Sequence, residues 1–229
     1  MMDIFGGVFM IKVNNISKKL NEKTILNNVS FIIKDKEIVG ICGKSGEGKS
    51  TLGKIIAGFI KHDNGEIYLN DTKLENGKLN KDIKIIFQQV FASLDPKQKI
   101  IKGLKEVILY NKLASKYNVD NYIDELLKLI ELDKDILNHL PSQISGGEAS
   151  RIVILKALIF KPKLLILDES TSMLDSLTEV NILTKVKSIV KEYNGSILII
   201  SHDEKLLSLY CDKVYKLEEG ELKDYEKTN

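Results

Sequence analysis

The chain has 229 residues, 43% of them hydrophobic and 29% charged, the composition of an ordinary folded protein and not of a disordered or membrane-embedded one. Lys and Arg number 34 against 32 Asp and Glu, and a net charge of +2 carries no nucleic-acid footprint, so no nucleic-acid partner is expected. The longest apolar stretches, 152–160 and 164–167, fall far short of the roughly 20 residues a membrane helix needs, so any membrane association has to go through partners.

Cys42 and Cys211 lie far apart with no metal-ligand spacing, which suits small buried residues in a reducing cytosol. Residues 1–9 are apolar but lack a basic start and a small-residue cleavage site, so they do not read as a signal peptide. They are expected to be an upstream start or a short tail ahead of a domain that opens at Met10.

In chain order, Ile11, Val13 and Ile16 alternate with polar residues and a second strand-like run covers 29–33, which predicts an antiparallel β region. Residues 37–42 (EIVGIC) read as a buried strand entering a glycine-rich turn, with helical spacing over 49–59. GEIYLND and IKIIFQQ suggest a further strand pair, separated by the polar, turn-rich stretch 71–82. Beyond Pro96 the period becomes helical, with Ile100, Ile101, Leu104, Val107 and Ile108 on one face and Ile123, Leu126, Leu127 and Ile130 on another; this predicts an inserted helical subdomain over 96–143. A glycine pair, a helix over 148–160, the buried strand KLLILDE, a helix over 177–192 and the strand SILIISHD follow, and strands alternating with helices imply a parallel α/β core. KVYKLEEGELKDY reads as a closing β-hairpin turning at Glu219 and Gly220.

Residues 43–50, GKSGEGKS, fit the G-x-x-x-x-G-K-[ST] phosphate loop and stand between the predicted strand and helix that such a loop requires. Gly43, Gly46 and Gly48 allow the backbone of Gly43, Lys44, Ser45, Gly46, Glu47 and Gly48 to turn its N–H groups toward phosphate oxygens, and the helix start adds positive potential. Lys49 is expected to reach the β- and γ-phosphates of ATP, Ser50 to offer its hydroxyl to Mg²⁺, and Thr51 to bond the α-phosphate. KLLILDE places Asp168 and Glu169 at the C-terminal end of an apolar strand, where α/β proteins bind ligands. Asp168 is the candidate Mg²⁺ holder through water, and Glu169 the candidate general base for the attacking water.

With these motifs the chain resembles the ABC transporter ATPases, over Met10 to about Tyr225, and the decisive segment is SGGE at 145–148. The resemblance implies that Ser145, Gly146, Gly147 and Glu148 contact nucleotide held by a second ATPase subunit through backbone groups and the following helix start. It further implies that Gln88 of IIFQQ senses Mg²⁺ and the γ-phosphate and links the site to the helical subdomain and the transporter. SMLD at 172–175 matches the D-loop, and His202 of IISHD is the switch histidine, donating to the γ-phosphate. His62 and His139 are read as structural. Arg151, the only arginine, is expected to stabilise the signature helix through carboxylate or carbonyl contacts.

The implied fold is α/β: a P-loop NTPase, RecA-like core with an N-terminal antiparallel β-subdomain over 10–95 and 144–229, and a helical subdomain over 96–143, together one ABC ATPase domain. The implied activity is ATP hydrolysis coupled to transport, by a homo- or heterodimer on the cytoplasmic face of a prokaryotic membrane. Two transmembrane permease subunits are the direct partners and an extracellular substrate-binding protein an indirect one. FASLDP at 91–96 resembles the peptide and nickel importer branch, and the sequence ends just after the final hairpin. Both features favour nickel, another metal ion or a short peptide as cargo.

Three departures from the family pattern stand out: Leu20 where an aromatic residue usually stacks on adenine, Glu148 for the commoner glutamine, and Ser170 for proline. The first puts adenine stacking in question, and none removes a catalytic group. A soluble ABC ATPase of translation or DNA repair is the alternative, which the absence of a second cassette and of a long coiled-coil insertion disfavours. A regulatory module that binds nucleotide without turnover is disfavoured by the complete catalytic set.

Overall fold

The protein is described by a computed structural model over residues 10–113 and 119–225; the reading of residues 1–9 lies outside these. The chain divides into two compact units, one of Met1–Ile85, Pro162–Asp168 and Val190–Asn229 and the other of Ile86–Lys161 and Glu169–Ile189.

In the first unit, strands β1 (Met10–Leu20) and β2 (Lys23–Lys34) form a hairpin, and β4 (Asn64–Leu69) and β5 (Thr72–Lys73) extend it into an antiparallel sheet of order β2-β1-β4-β5. Ile11 and Val13 alternate as read from the sequence, and a register shift between Val13 and Ile16, where Asn15 has a φ of 50°, returns Ile16 to the same buried face.

A second, six-stranded sheet has the order β10-β9-β3-β8-β7-β6, from β3 (Ile38–Cys42), β6 (Ile83–Ile86), β7 (Leu164–Asp168), β8 (Ser196–Ile200), β9 (Lys213–Glu218) and β10 (Glu221–Asp224). β3 runs parallel to both β8 and β9, and β7 runs parallel to β8. Every residue of β3, β7 and β8 is buried, which explains why these strands are continuous apolar runs and not alternating ones. Ile11, Ile33, Ile41, Leu52, Ile166 and Leu217 belong to one apolar core shared by the two sheets, and each such side chain contributes about 1.5–3 kcal/mol by leaving water.

The expected pairing of GEIYLND with IKIIFQQ is not found. β4 pairs with β1 and β5 in the antiparallel sheet, whereas β6 is the edge of the parallel sheet beside β7. Local alternation fixes that a segment is a strand, but its partner is decided by which sheet can bury its apolar face. Helix α1 (Lys49–Ile56) also stops short of the expected Phe59, because Gly58 takes a φ of 81° and its N–H turns back to the Ile55 carbonyl at 3.0 Å.

The second unit carries the helices α2 (Ile100–Tyr110), α3 (Val119–Leu129), α4 (Gly146–Leu158) and most of α5 (Ser176–Glu192). α2 buries Ile100, Leu104 and Ile108 of the anticipated face and leaves Ile101 and Val107 half-buried, while α3 buries Ile123, Leu126 and Leu127 as anticipated and Val119 besides. Helix α6 (Glu204–Tyr210), in the first unit, was not anticipated: seven residues are too few for a period to stand out. Its signal is the cap, since the Asp203 carboxylate accepts from the Leu206 N–H at 2.9 Å. α6 packs on β3 where Gly40 leaves room; a Cβ there would lie 2.9 Å from Cys211 Sγ.

Candidate nucleotide site

In the first unit, register brings candidate residues to the C-terminal ends of neighbouring parallel strands. Ile41 is level with Ile200, and Ile200 with Asp168, so the segments that leave β3 and β8 emerge side by side, with Asp168 next to them. The segment after β3 is the glycine-rich loop. Its first residue, Gly43, has a φ of 149°, and a Cβ there would lie 2.4 Å from the Leu217 carbonyl oxygen. Its last, Gly48, caps α1 with a φ of 100°, and a Cβ would lie 2.7 Å from Ile25 Cγ2. Only glycine meets both the dihedral and the packing demand at these two positions. The first N–H groups of α1, like those of any helix, lack intrahelical acceptors, and Gly48 offers no side chain to cap them, which leaves a helix start suited to an anion.

Lys49 is 5% exposed, and its ammonium donates to the carbonyls of Gly43 and of Lys44, each at 2.8 Å. The charge therefore sits inside the curl of the loop. Next along α1, the Ser50 hydroxyl donates to Asp168 Oδ1 at 2.8 Å, across 118 residues of sequence. Asp168 is 3% exposed at the end of β7. Thr51 is half-buried in the first turn of α1, while Lys44, Ser45 and Gly46 are exposed on the loop. Glu47 turns sideways and accepts the Glu219 N–H at 2.8 Å.

His202 follows β8 in an exposed turn fixed on both sides: the Ser201 N–H donates to the Ile41 carbonyl at 3.2 Å, and the Asp203 N–H donates to Ser201 Oγ at 3.0 Å. Leu20, at the expected adenine position, ends β1 opposite Lys23 and is 42% exposed. No aromatic residue occurs between Met10 and Ser30.

In the second unit, Gln88 Nε2 donates to Glu169 Oε2 at 3.0 Å. Glu169 follows Asp168 in the chain and has a φ of 49°, a left-handed conformation that costs a non-glycine residue about 1–2 kcal/mol and recurs at functional sites. In the turn behind it, the Ser172 N–H donates to the Glu169 carbonyl at 3.3 Å, the Leu174 N–H to the Thr171 carbonyl at 2.9 Å, and Thr171 Oγ1 to Glu179 at 2.6 Å. Ser170 is 1% exposed, which explains why a small residue is accommodated there.

The SGGE segment is the start of α4, and it is held by a reciprocal cap. Ser145 Oγ accepts the Glu148 N–H at 3.2 Å, while the Glu148 carboxylate accepts both the Ser145 N–H at 2.8 Å and its hydroxyl at 2.7 Å. The Ser145 N–H first, and then its hydroxyl, hold the Glu148 carboxyl below the usual carboxylate range. The following glycines pack against the 172–175 turn, where a Cβ on Gly146 would lie 2.9 Å from Met173 Sδ and one on Gly147 3.2 Å from Leu174 Cδ2.

Arg151 was expected to brace α4, and it does so through a neighbour, donating to the Glu131 carbonyl at 2.8 Å just past the end of α3. The Glu131 carboxylate in turn binds Lys185 and, at 3.0 Å, Asn181, so α3, α4 and α5 share one polar node. Sequence spacing gave no sign of the Glu47 and Glu131 contacts, because both partners lie far away along the chain.

Among known proteins, residues 26–172 match the ABC transporter family, more than half of the chain. The chain is 31% identical over 212 residues to the nickel import ATP-binding protein NikE of Escherichia coli (strain K12), covering 89% of this chain and 78% of that protein. It is also 31% identical over 214 residues to the protein of the same name from Shigella boydii serotype 4 (strain Sb227), covering 90% and 79%. In three dimensions it is similar to the ATP-binding cassette MJ0796 in a dimeric post-hydrolysis state bound to ADP and Pi, with a TM-score of 0.82, 30% identity and coverage of 95% of this chain and 100% of that one. A second dimeric structure of MJ0796, a bacterial ABC transporter cassette, gives a TM-score of 0.82 at 31% identity with the same coverage.

Proposed function

The chain belongs to the ABC transporter family as one of its ATPase cassettes, and on that premise we propose that it energises an importer by hydrolysing ATP in a dimer of two such subunits. The observation that carries the reading is the pairing of Ser50 with Asp168 at 2.8 Å beneath the glycine-rich loop. A hydroxyl and a carboxylate from distant segments are brought together beside a buried lysine, an arrangement suited to a phosphate chain and the cation that accompanies it.

Two hard oxygen donors fit Mg²⁺, which favours few protein ligands and takes the rest of its shell from water and phosphate. Ser50 and Asp168 would hold it, and the bound ion neutralises charge on the β- and γ-phosphates. Lys49 exchanges its two carbonyl acceptors for phosphate oxygens when nucleotide enters the loop. Glu169 orients the attacking water and accepts its proton, with Gln88 fixing the carboxylate through the 3.0 Å bond. His202 donates to the γ-phosphate as charge develops there.

Ser145, Gly146, Gly147 and Glu148 form the rigid start of α4 and present it to the nucleotide held by the second subunit. Closure of the pair on ATP and opening after hydrolysis drives two permease subunits, which place this chain peripherally at the cytoplasmic face of the membrane. Among the described residues no helix is long and apolar enough to cross a membrane. The similarity to nickel import subunits favours nickel or another metal ion as cargo, with short peptides second.

The test is purification of the tagged chain from native membranes, with ATPase assays of the recovered complex and of its Glu169→Gln variant. Recovery of permease subunits, with turnover that Glu169→Gln abolishes, is expected. Recovery of the chain without membrane proteins would overturn the transport reading, and turnover indifferent to Glu169 would overturn its role.

A further inference from the structure

The glycine-rich loop contains a carboxylate, Glu47, between Gly46 and Gly48. A negative charge beside bound phosphates opposes binding, since like charges a few ångströms apart repel by about 1 kcal/mol even in water and by more where water is excluded. The structure turns the group away: Glu47 Oε2 accepts the Glu219 N–H at 2.8 Å, in the turn between β9 and β10.

That turn is anchored independently. The Asn27 N–H donates to the Gly220 carbonyl at 2.8 Å, and Asn27 Nδ2 donates to Glu221 Oε1 at 3.1 Å, tying the turn to β2. Gly220 has a φ of 82°, and a Cβ there would lie 3.1 Å from the Ile25 carbonyl oxygen. Ile25 is also the residue against which Gly48 closes. At its other end the loop rests on β9, where Gly43 lies against the Leu217 carbonyl. The loop is thus held on two sides by the closing hairpin, at Gly43 by backbone packing and at Glu47 by a hydrogen bond, and the hairpin is held by β2.

We propose that Glu47 is a positioning residue for nucleotide binding: its bond to the Glu219 N–H latches the phosphate loop to the β9–β10 turn, fixing the loop in its binding shape and keeping the carboxylate off the phosphates. The inference rests on the ATPase reading above. It deepens that reading by making the C-terminal hairpin part of the nucleotide site, although no hairpin residue is placed on the nucleotide itself. A bond from a backbone N–H to a charged acceptor is among the stronger kinds, so its loss registers in affinity.

The test compares wild type, Glu47→Ala and Glu47→Gln in the full chain by calorimetric binding of ADP and by site-resolved hydrogen exchange of the Glu219 amide. Glu47→Ala is expected to weaken ADP binding about tenfold, the effect of losing one charge-assisted bond. Glu47→Gln keeps an acceptor oxygen and is expected to stay within about threefold of wild type. The Glu219 amide is expected to exchange faster in Glu47→Ala alone. In the assembled complex the same variant is expected to raise KM for ATP far more than it lowers kcat.

Unchanged or tighter ADP binding by Glu47→Ala would overturn the latch, and so would equal losses in the alanine and glutamine variants. Failure of wild type to bind ADP at all would count against the ATPase reading; exchange at the Glu219 amide tests the latch without nucleotide.

Discussion

Gln88 and Glu169 stand 81 residues apart in sequence, yet the amide of the first donates to the carboxylate of the second at 3.0 Å. A neutral amide thus fixes the orientation of the carboxylate proposed as general base. Glu169→Gln is expected to lower kcat by about 100-fold or more while leaving ADP affinity near wild type, the pattern of a group used only in the transition state. Calorimetry and single-turnover hydrolysis by the assembled complex separate the two quantities.

Ser50 and Asp168 share the proposed cation position, and the hydrogen bond between them ties their fates together. Asp168→Asn is expected to raise the Mg²⁺ concentration that gives half-maximal turnover by about tenfold or more, because the carboxylate that would hold the ion through water becomes neutral. ADP binding measured in the presence of a chelator is expected to change much less. Equal losses with and without Mg²⁺ would argue for a folding defect.

Gly43 lies against the Leu217 carbonyl with a φ of 149°, and a Cβ there would approach the carbonyl oxygen to 2.4 Å. Gly43→Ala is expected to displace the loop from β9 and to destabilise the chain by about 1–3 kcal/mol, with loss of ADP binding. Gly46 has open space around its Cβ position, so Gly46→Ala is expected to cost less, through its φ of 85° alone. Denaturant titration of both variants checks the order.

The reciprocal cap of Ser145 and Glu148 makes α4 sensitive to acid. The carboxyl of Glu148 is held below its unfolded value, by the Ser145 N–H first, so its contribution is present above the unfolded pKa and is lost as pH falls through the folded one. Ser145→Ala is expected to cost about 1 kcal/mol at neutral pH, as cap removals do. Glu148→Gln keeps an oxygen acceptor and is expected to flatten the acid limb of the stability curve relative to wild type. Thermal melts from neutral pH down to below the ordinary glutamate pKa of about 4.3 measure both.

Much of the fold was legible along the chain. The alternation of Ile11 and Val13 gave a half-buried strand, the unbroken apolar run Leu164–Leu167 a fully buried parallel one, and the spacing of Ile100, Leu104 and Ile108 a helix face. These signals are local, because side-chain direction repeats every two residues in a strand and every 3.6 in a helix. The glycine-rich loop was legible for a related reason: backbone N–H groups that must converge on one point restrict the residue types of a short contiguous segment.

The sequence by itself determined the types of most elements, though not helix α6, together with the phosphate-loop pattern and the order of the motifs. Only the tertiary structure decided which strands are neighbours, and it placed GEIYLND and IKIIFQQ in different sheets. It alone set Ser50 on Asp168, Gln88 on Glu169 and Glu47 on the Glu219 N–H, and it gathered Arg151, Asn181 and Lys185 around Glu131. The physical reason is that such contacts join segments far apart in the chain. They arise from packing the whole apolar core at once, and no local period records them.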